Sequence, residues 1–237
     1  MMKTIERART GIRGLDEYLE GGIPRPSSVL ISGDIGTKKN TLAQRILYQG
    51  LVEGEKGIYV TVDLFPRDIV ENMARYNMNI EDYLSEHRLI FIDGLSPRLG
   101  YESSAEYIVE NPFNLDEMLR LLSLAINENI HRGEKYRLVL SHLSTLLFMT
   151  QKRRLLSFIE RLHAEAKRSN GIFIMVYSEG VLSKHSENFI KSLPDVVFQL
   201  SRLENKRMLE VLRCIKTSYM PRKFILSQQI DSIQAEA

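Results

Sequence analysis

The feature that most constrains this chain is a succession of short apolar runs, rich in β-branched residues and unbroken by polar positions. They are SVLIS (28–32), GIYVTVD (57–63), RLIFID (88–93), RLVLS (137–141), GIFIMVY (171–177), VVFQL (196–200) and MLEVLRC (208–214). A strand with one wet face alternates apolar and polar residues, whereas a continuous run belongs to a strand covered on both faces. Longer stretches of helical periodicity separate the runs. The pattern therefore predicts an α/β fold with a largely parallel central sheet flanked by helices. The last two runs, with LENK (203–206) near their turn, predict a C-terminal antiparallel hairpin. No repeat, low-complexity tract or long linker divides the chain. It reads as one domain over 1–237, with a core at about 10–226 and a tail at 227–237.

The helices have their own signals. Asn114 followed three residues later by Glu117 makes a capping box, and Leu115, Met118, Leu119, Leu122, Ala125 and Ile126 then form one apolar stripe. A second helix is predicted over about 151–169, with Leu155, Leu156, Ile159, Leu162 and Ala166 inward and Asn170-Gly171 as its stop. Lys152, Arg153 and Arg154 read as the solvated start of that helix. Composition adds exclusions. With 26% charged residues and a net charge of +2, no basic stripe marks the chain for nucleic acid. A single cysteine, Cys214, rules out an internal disulfide framework and fits a reducing compartment. No apolar run has the length of a membrane span, and no signal-peptide pattern opens the chain, so a cytoplasmic protein is expected.

SGDIGTKKNTL (32–42) carries the chemistry. It follows a strand and opens a helix, the context in which G-x-x-x-x-G-K-[ST] cradles phosphates with backbone N–H groups. Gly33, Gly36, Thr37 and Lys39 are in place, but Lys38 stands where the second glycine belongs and Asn40 where the hydroxyl belongs. Thr41 is one residue out of register. Lys39 is positioned for β/γ oxygens, whereas an Asn40 amide is a poorer magnesium ligand than a hydroxyl. The stem of Lys38 threatens the space that a phosphate would take. Asp34 adds a negative charge, open to two readings: it pairs with Lys38 or Lys39 and neutralises the loop, or the two lysines replace part of the charge of a magnesium ion. No metal-ligand spacing and no nucleophilic triad is present. Ser141 and His142, as neighbours on an extended strand, are expected on opposite faces.

TGIRGLDEYLEGGIPRPSSVLISGDIGTKKNTLAQRILYQGL (10–51) resembles the opening of the KaiC-like branch of the RecA-superfamily ATPases. GIYVTVDLFPRDIVENM (57–73), YIVENPFNLDEML (107–119, the archaeal form) and LEVLRCIKT (209–217) extend the likeness to roughly 10–226. The resemblance implies a RecA-like fold, ATP bound at subunit interfaces of rings, and roles in signalling or as regulated motors. It also implies functional positions, most of them altered here. The paired glutamates after the second strand correspond to Asp63 and Leu64. The magnesium-supporting aspartate of the Walker B strand corresponds to Ser141, the sensor glutamine to Ser178, and the trans-acting K-x-R-G-T phrase to Arg213–Thr217, with Ile215 for the arginine and Lys216 for the glycine. Asp93, which ends LIFID, lies on an earlier strand and reads as a turn residue.

General acid–base help contributes about 10²–10⁴-fold to such a reaction, and metal stabilisation of phosphoryl charge several kcal/mol more. With the glutamate pair and both magnesium positions changed together, the expectation is a pseudo-ATPase with no catalytic residues and no metal. It would act as a regulatory or scaffolding protein toward protein partners, among them a related ATPase or further copies in a ring. Its residual phosphate loop would be Gly33–Thr41, with Arg213 and Lys216 as contacts in trans. Two alternatives stand beside it: a sensor that binds ATP without cleaving it, and a weak ATPase using Asp63 and Asp93.

Overall fold

The computed structural model describes residues 5–131 and 133–235. Its strands are β1 (Arg7–Ala8), β2 (Ile23–Pro24), β3 (Ser27–Gly33), β4 (Lys56–Thr61), β5 (Leu89–Asp93), β6 (Tyr107–Ile108), β7 (Tyr136–Leu140), β8 (Ile172–Ser178), β9 (Val196–Leu203), β10 (Lys206–Cys214), β11 (Lys223–Leu226) and β12 (Ile233–Ala235). The helices are α1 (Leu15–Tyr18), α2 (Lys39–Val52), α3 (Pro66–Arg75), α4 (Glu81–Ser85), α5 (Leu115–Asn129), α6 (Leu143–Met149), α7 (Lys152–Ser169) and α8 (Lys184–Ser192).

Ten strands form one sheet in the order β12-β11-β10-β9-β3-β8-β7-β4-β5-β6. From β9 through β6 every neighbouring pair is parallel, and β9 to β12 is antiparallel. The continuous apolar runs are explained by this arrangement. Val29 and Ile31 of β3 face a core shared with α2 and α3, while Leu30 faces a second core shared with α5, α6 and α7. No helix among the described residues is long and apolar enough to cross a membrane.

Local signals act where expected. Asn114 accepts the Glu117 N–H at 3.3 Å and caps α5, and Asn170 ends α7 in a left-handed conformation. Glu204, at φ 53°, turns β9 into β10. Asp93 holds the loop after β5, accepting from Leu95 N, Ser96 N and the hydroxyls of Ser96 and Ser103. The stretch from 227 onward, read from sequence as a tail, instead adds a strand: β12 pairs with β11, and Ile230 is fully buried. It is fixed from afar, through Arg13 N to Asp231 O and Ile233 N to Arg13 O.

The amino edge of the sheet is locked by a buried ionic cluster. Arg137 of β7 has no exposed side-chain surface and donates to both oxygens of Glu55, at 3.0 and 2.9 Å. It also reaches the carbonyls of Arg9 and Ile46, both at 2.6 Å. Arg25, just before β3, pairs with the same Glu55 at 2.7 Å. Burial pushes the Glu55 carboxyl up, but hydrogen bonds and charge from Arg137, then Arg25, outweigh it and hold the group below its ordinary value.

A carboxylate so depressed stabilises the fold fully above its unfolded value, and the contribution disappears as pH falls through the folded one. Acid unfolding followed by circular dichroism is therefore expected to begin at higher pH in Glu55→Gln than in the native protein. At neutral pH, Glu55→Ala strands two buried guanidinium groups and is expected to remove about 3–5 kcal/mol in urea titration. A loss under 1 kcal/mol would contradict the role given to this cluster.

Candidate functional site

β3 runs out at Gly33, and the chain turns through Asp34–Lys38 into α2. Gly33 is obligatory, because its φ is 147° and an added Cβ would lie 2.0 Å from the Leu200 carbonyl oxygen. The loop is held from inside. The Asp34 carbonyl accepts from the Thr37 hydroxyl at 2.8 Å and from the Lys39 ammonium at 2.6 Å. This corrects the expected neutralisation by the Asp34 carboxylate: Lys39 bonds the main-chain oxygen, and among the described residues neither lysine forms an ion pair with Asp34. Burial lowers the Lys39 pKa, partly opposed by Asp34 and Glu179.

Lys38 also departs from expectation. It occupies the glycine position in a left-handed conformation, φ 68° and ψ 33°. Its ammonium lies 5.6 Å from the centre of the Tyr76 ring, and the residue lines the cavity beside the loop.

A cavity of about 310 Å³ opens beside this loop, lined among others by Lys39, Asn40, Thr41, Leu64, His142 and Ser178. Ser141 is fully buried and its hydroxyl donates to the Val60 carbonyl at 3.0 Å. β7 ends at Leu140, and His142 then takes a left-handed conformation, φ 59°, at the start of α6. The extended geometry assumed for Ser141 and His142 is thus absent, and the imidazole turns into the cavity. Its Nε2 lies 2.8 Å from Asn40 Nδ2, and its Nδ1 lies 3.8 Å from Asp63 Oδ2. Asp63 sits in the loop beyond β4 and accepts the Thr145 hydroxyl at 2.6 Å. Burial lowers the His142 pKa, with Asp63 acting against it and Lys39 reinforcing it.

The structure therefore brings together Asp34, Thr37, Lys39, Asn40, Asp63, Leu64 and Ser178, adds Thr145, which sequence reasoning passed over, and brings in His142, which was expected to point away from Ser141. The signal for His142 was the helical spacing of Leu143, Leu146 and Leu147, which puts a helix start directly after it. Arg213 and Lys216 are not brought to this loop within the chain. Arg213 pairs in register with Val197, which pairs with Leu30, three residues before Gly33, and Lys216 lies past the end of β10.

The oxygens that would face a magnesium–nucleotide complex are only partly free here. Magnesium demands a near-octahedral shell of oxygens. Here the Ser141 hydroxyl is engaged by Val60 and the Asn40 amide nitrogen faces His142, while Asn40 Oδ1 and Asp63 Oδ1 have no partner.

The sheet order, the loop between β3 and α2, and the two helical layers define a RecA-like P-loop ATPase fold. The sequence model of the KaiC ATPase family matches residues 8–232, and the chain belongs to that family. A UPF0273 protein of Methanopyrus kandleri is 35% identical over 125 residues, 52% of this chain and 50% of that protein. A UPF0273 protein of Thermotoga maritima is 34% identical over 143 residues, 60% of this chain and 57% of its own length. The chain thus spans little more than half the length of the curated relatives it matches. The crystal structure of a KaiC-like protein from the hyperthermophilic archaeon Pyrococcus horikoshii OT3 superposes with a TM-score of 0.77. That likeness covers 98% of this chain and 100% of that one at 24% identity, and it shows the shared fold.

The left-handed backbone at Lys38 costs a Cβ-bearing residue about 1 kcal/mol that glycine avoids. Lys38→Gly is expected to be about 1 kcal/mol more stable than Lys38→Ala in chemical denaturation. Equal stabilities would show that the strain at this position has been misread.

Proposed function

We propose that this KaiC-family chain is a pseudo-ATPase that works by binding, as a regulatory or scaffolding component in signal transduction, rather than by turning over ATP. The observation that carries the reading is the internal pairing of the altered groups. Ser141 at the magnesium-carboxylate position is bonded to Val60, Asn40 at the magnesium-hydroxyl position is bonded to His142, and Lys39 is bonded to the Asp34 carbonyl. The replacements Ser141 and Asn40, like the retained Lys39, each have a hydrogen-bond partner inside the chain. Leu64, at the place of a family glutamate, lines the same cavity and brings no acid–base capacity.

The partner in this reading is a protein, either a related ATPase or another copy of the chain. Ile35, at the tip of the loop, is 87% exposed, and Phe148, at the end of α6, is 82% exposed. Both belong to segments that follow carboxyl ends of parallel strands, so apolar groups stand on the edge that carries the loop.

A second reading is favoured by one observation. Gly36, at φ 82°, has open space where a Cβ would point, and the cavity adjoins it. In this reading a nucleotide rests against the outer face of the loop without a metal and without being cleaved.

Phosphate release from ATP in excess magnesium is expected to stay at the buffer background, with Lys39→Ala indistinguishable from the native protein. Magnesium-dependent release that Lys39→Ala abolishes would overturn the pseudo-ATPase reading. Calorimetry with ATP in the presence and absence of EDTA separates the two binding readings, since affinity that survives chelation supports metal-free nucleotide binding.

A further inference from the structure

The sheet offers a second place for a ligand, apart from the phosphate loop. β4 and β5 are parallel neighbours. The chain leaving β4 goes to α3, whose Ile69 and Met73 pack in the core on the α2 side. The chain leaving β5 passes through β6 to α5, whose Met118 and Leu122 pack in the core on the other side. Where the connections from adjacent parallel strands part to opposite faces, a crevice opens at the carboxyl ends, and α/β sheets bind ligands there. This crevice holds a cavity of about 490 Å³, larger than the one of about 310 Å³ beside the phosphate loop, and the two share no lining residue. Volumes of about 300–1,000 Å³ are usual for small-molecule sites.

The cavity is held in shape from inside the chain. Asp93, at the end of β5, has no exposed surface and fixes the loop after it through the hydroxyls of Ser96 and Ser103 and the N–H groups of Leu95 and Ser96. The Tyr101 N–H donates to the Ser96 carbonyl at 2.9 Å and secures the far end of the turn. Phe65, from the loop after β4, meets Tyr101 edge to face, with 5.8 Å between ring centres and 79° between planes. Such a pair leaves ring faces free to pack a further ring, and Tyr101 is 63% exposed. The charged residues that line the cavity are Arg67 and Glu102. They do not pair with each other. Arg67 has its chain neighbour Asp68 at 3.8 Å, and Glu102 is in no ion pair among the described residues.

From this arrangement we infer that the crevice between β4 and β5 is a binding site for an aromatic α-amino acid. The ring packs against Phe65 and Tyr101, the carboxylate is met by the Arg67 guanidinium, and the ammonium is met by the Glu102 carboxylate. Charge separates this class of ligand from its neighbours. The phosphate dianion of a mononucleotide would face a single guanidinium and be repelled by Glu102. An aromatic acid or an aromatic amine would leave one of the two charged side chains unanswered. A zwitterion answers both, and hydrogen bonds between ionised groups are the strong ones. The groove between α5 and α7 serves as an internal comparison. Its cavity is of similar size, about 430 Å³, but its two carboxylates already hold arginines, Asp116 with Arg161 at 3.3 Å and Glu165 with Arg168 at 2.6 Å. No ligand is assigned to it.

The site stands apart from the phosphate loop, so its test uses no nucleotide. The chain contains no tryptophan, and the emission of added L-tryptophan therefore reports the ligand alone. L-Tryptophan titrated with the native protein is expected to show a saturable rise in emission anisotropy. Tryptamine, which lacks the carboxylate, and indole-3-propionate, which lacks the ammonium, should each bind more weakly by about tenfold or more. Arg67→Gln should weaken L-tryptophan by about tenfold without weakening tryptamine, and Glu102→Gln should weaken L-tryptophan without weakening indole-3-propionate. Both side chains are exposed, so neither substitution threatens the fold. Tyr101→Ala should weaken all three ligands, whereas Arg153→Gln, on the exposed start of α7, should weaken none. Absence of saturable binding, equal affinity for the three ligands, an Arg67→Gln effect as large on tryptamine as on L-tryptophan, or binding indifferent to Tyr101→Ala would each overturn the site.

Discussion

Arg137 is an arginine in the middle of a sheet with no route to water, and much of the chain is arranged around that fact. Desolvating a guanidinium is expensive unless its hydrogen bonds are met by charge. Glu55 meets it with both oxygens, Glu53 adds a contact at 3.2 Å, and the Arg9 and Ile46 carbonyls take what remains. Those partners come from the N-terminal segment, α2 and the residues just before β4. Arg25, whose side chain is 1% exposed, brings the start of β3 to the same carboxylate. The requirement extends to Gly50 of α2, where an added Cβ would come within 2.4 Å of the Arg137 Nε. The amino edge of the sheet is thereby fixed by interactions that owe nothing to a ligand, and groups at the opposite edge are free to change without unravelling the strands that carry them.

This division explains what the sequence discloses. The parallel strands are legible because both faces are covered, so apolar residues run on without interruption, and one-residue errors at their ends leave the register intact. The phosphate-loop context is legible for a similar reason: strand, glycine turn and helix are local. What escapes is set by distant contacts. β11 and β12 are short, and β12 depends on Arg13, some two hundred residues earlier in the chain. The αL backbone at Lys38 and the pull of Tyr76 on its ammonium cannot be read from a motif that expects glycine there. His142 was hidden by a boundary: taking the strand one residue too far makes its side chain seem to leave the site, whereas the actual break at Leu140 points it inward.

The substitutions at the carboxyl edge form a pattern rather than a scatter. Where the KaiC-like resemblance implies groups aimed outward at a metal and a triphosphate, the side chains here are aimed at one another. Ser141 bonds back to β4, Asn40 reaches across to the residue after Ser141, and Asp63 takes a hydroxyl from α6. Among the described residues, the buried side-chain atoms left without partners are Asn40 Oδ1, Asp63 Oδ1, His142 Nδ1, Ser32 Oγ and Arg45 Nε.

A phosphate approaching the loop must compete with the bond between Lys39 and the Asp34 carbonyl, and it brings charge to do so. Hydrogen bonds to ionised groups contribute about 1.5–3 kcal/mol against about 1 for a neutral acceptor, so an anion has the advantage once it is within reach. Burial of Lys39 sharpens the contest by raising the energy of its ammonium, although the charges of Asp34 and Glu179 partly offset this. Asp34 opposes it, since a carboxylate in the loop repels the same anion. The balance lies within the range that the net charge around the loop can tip.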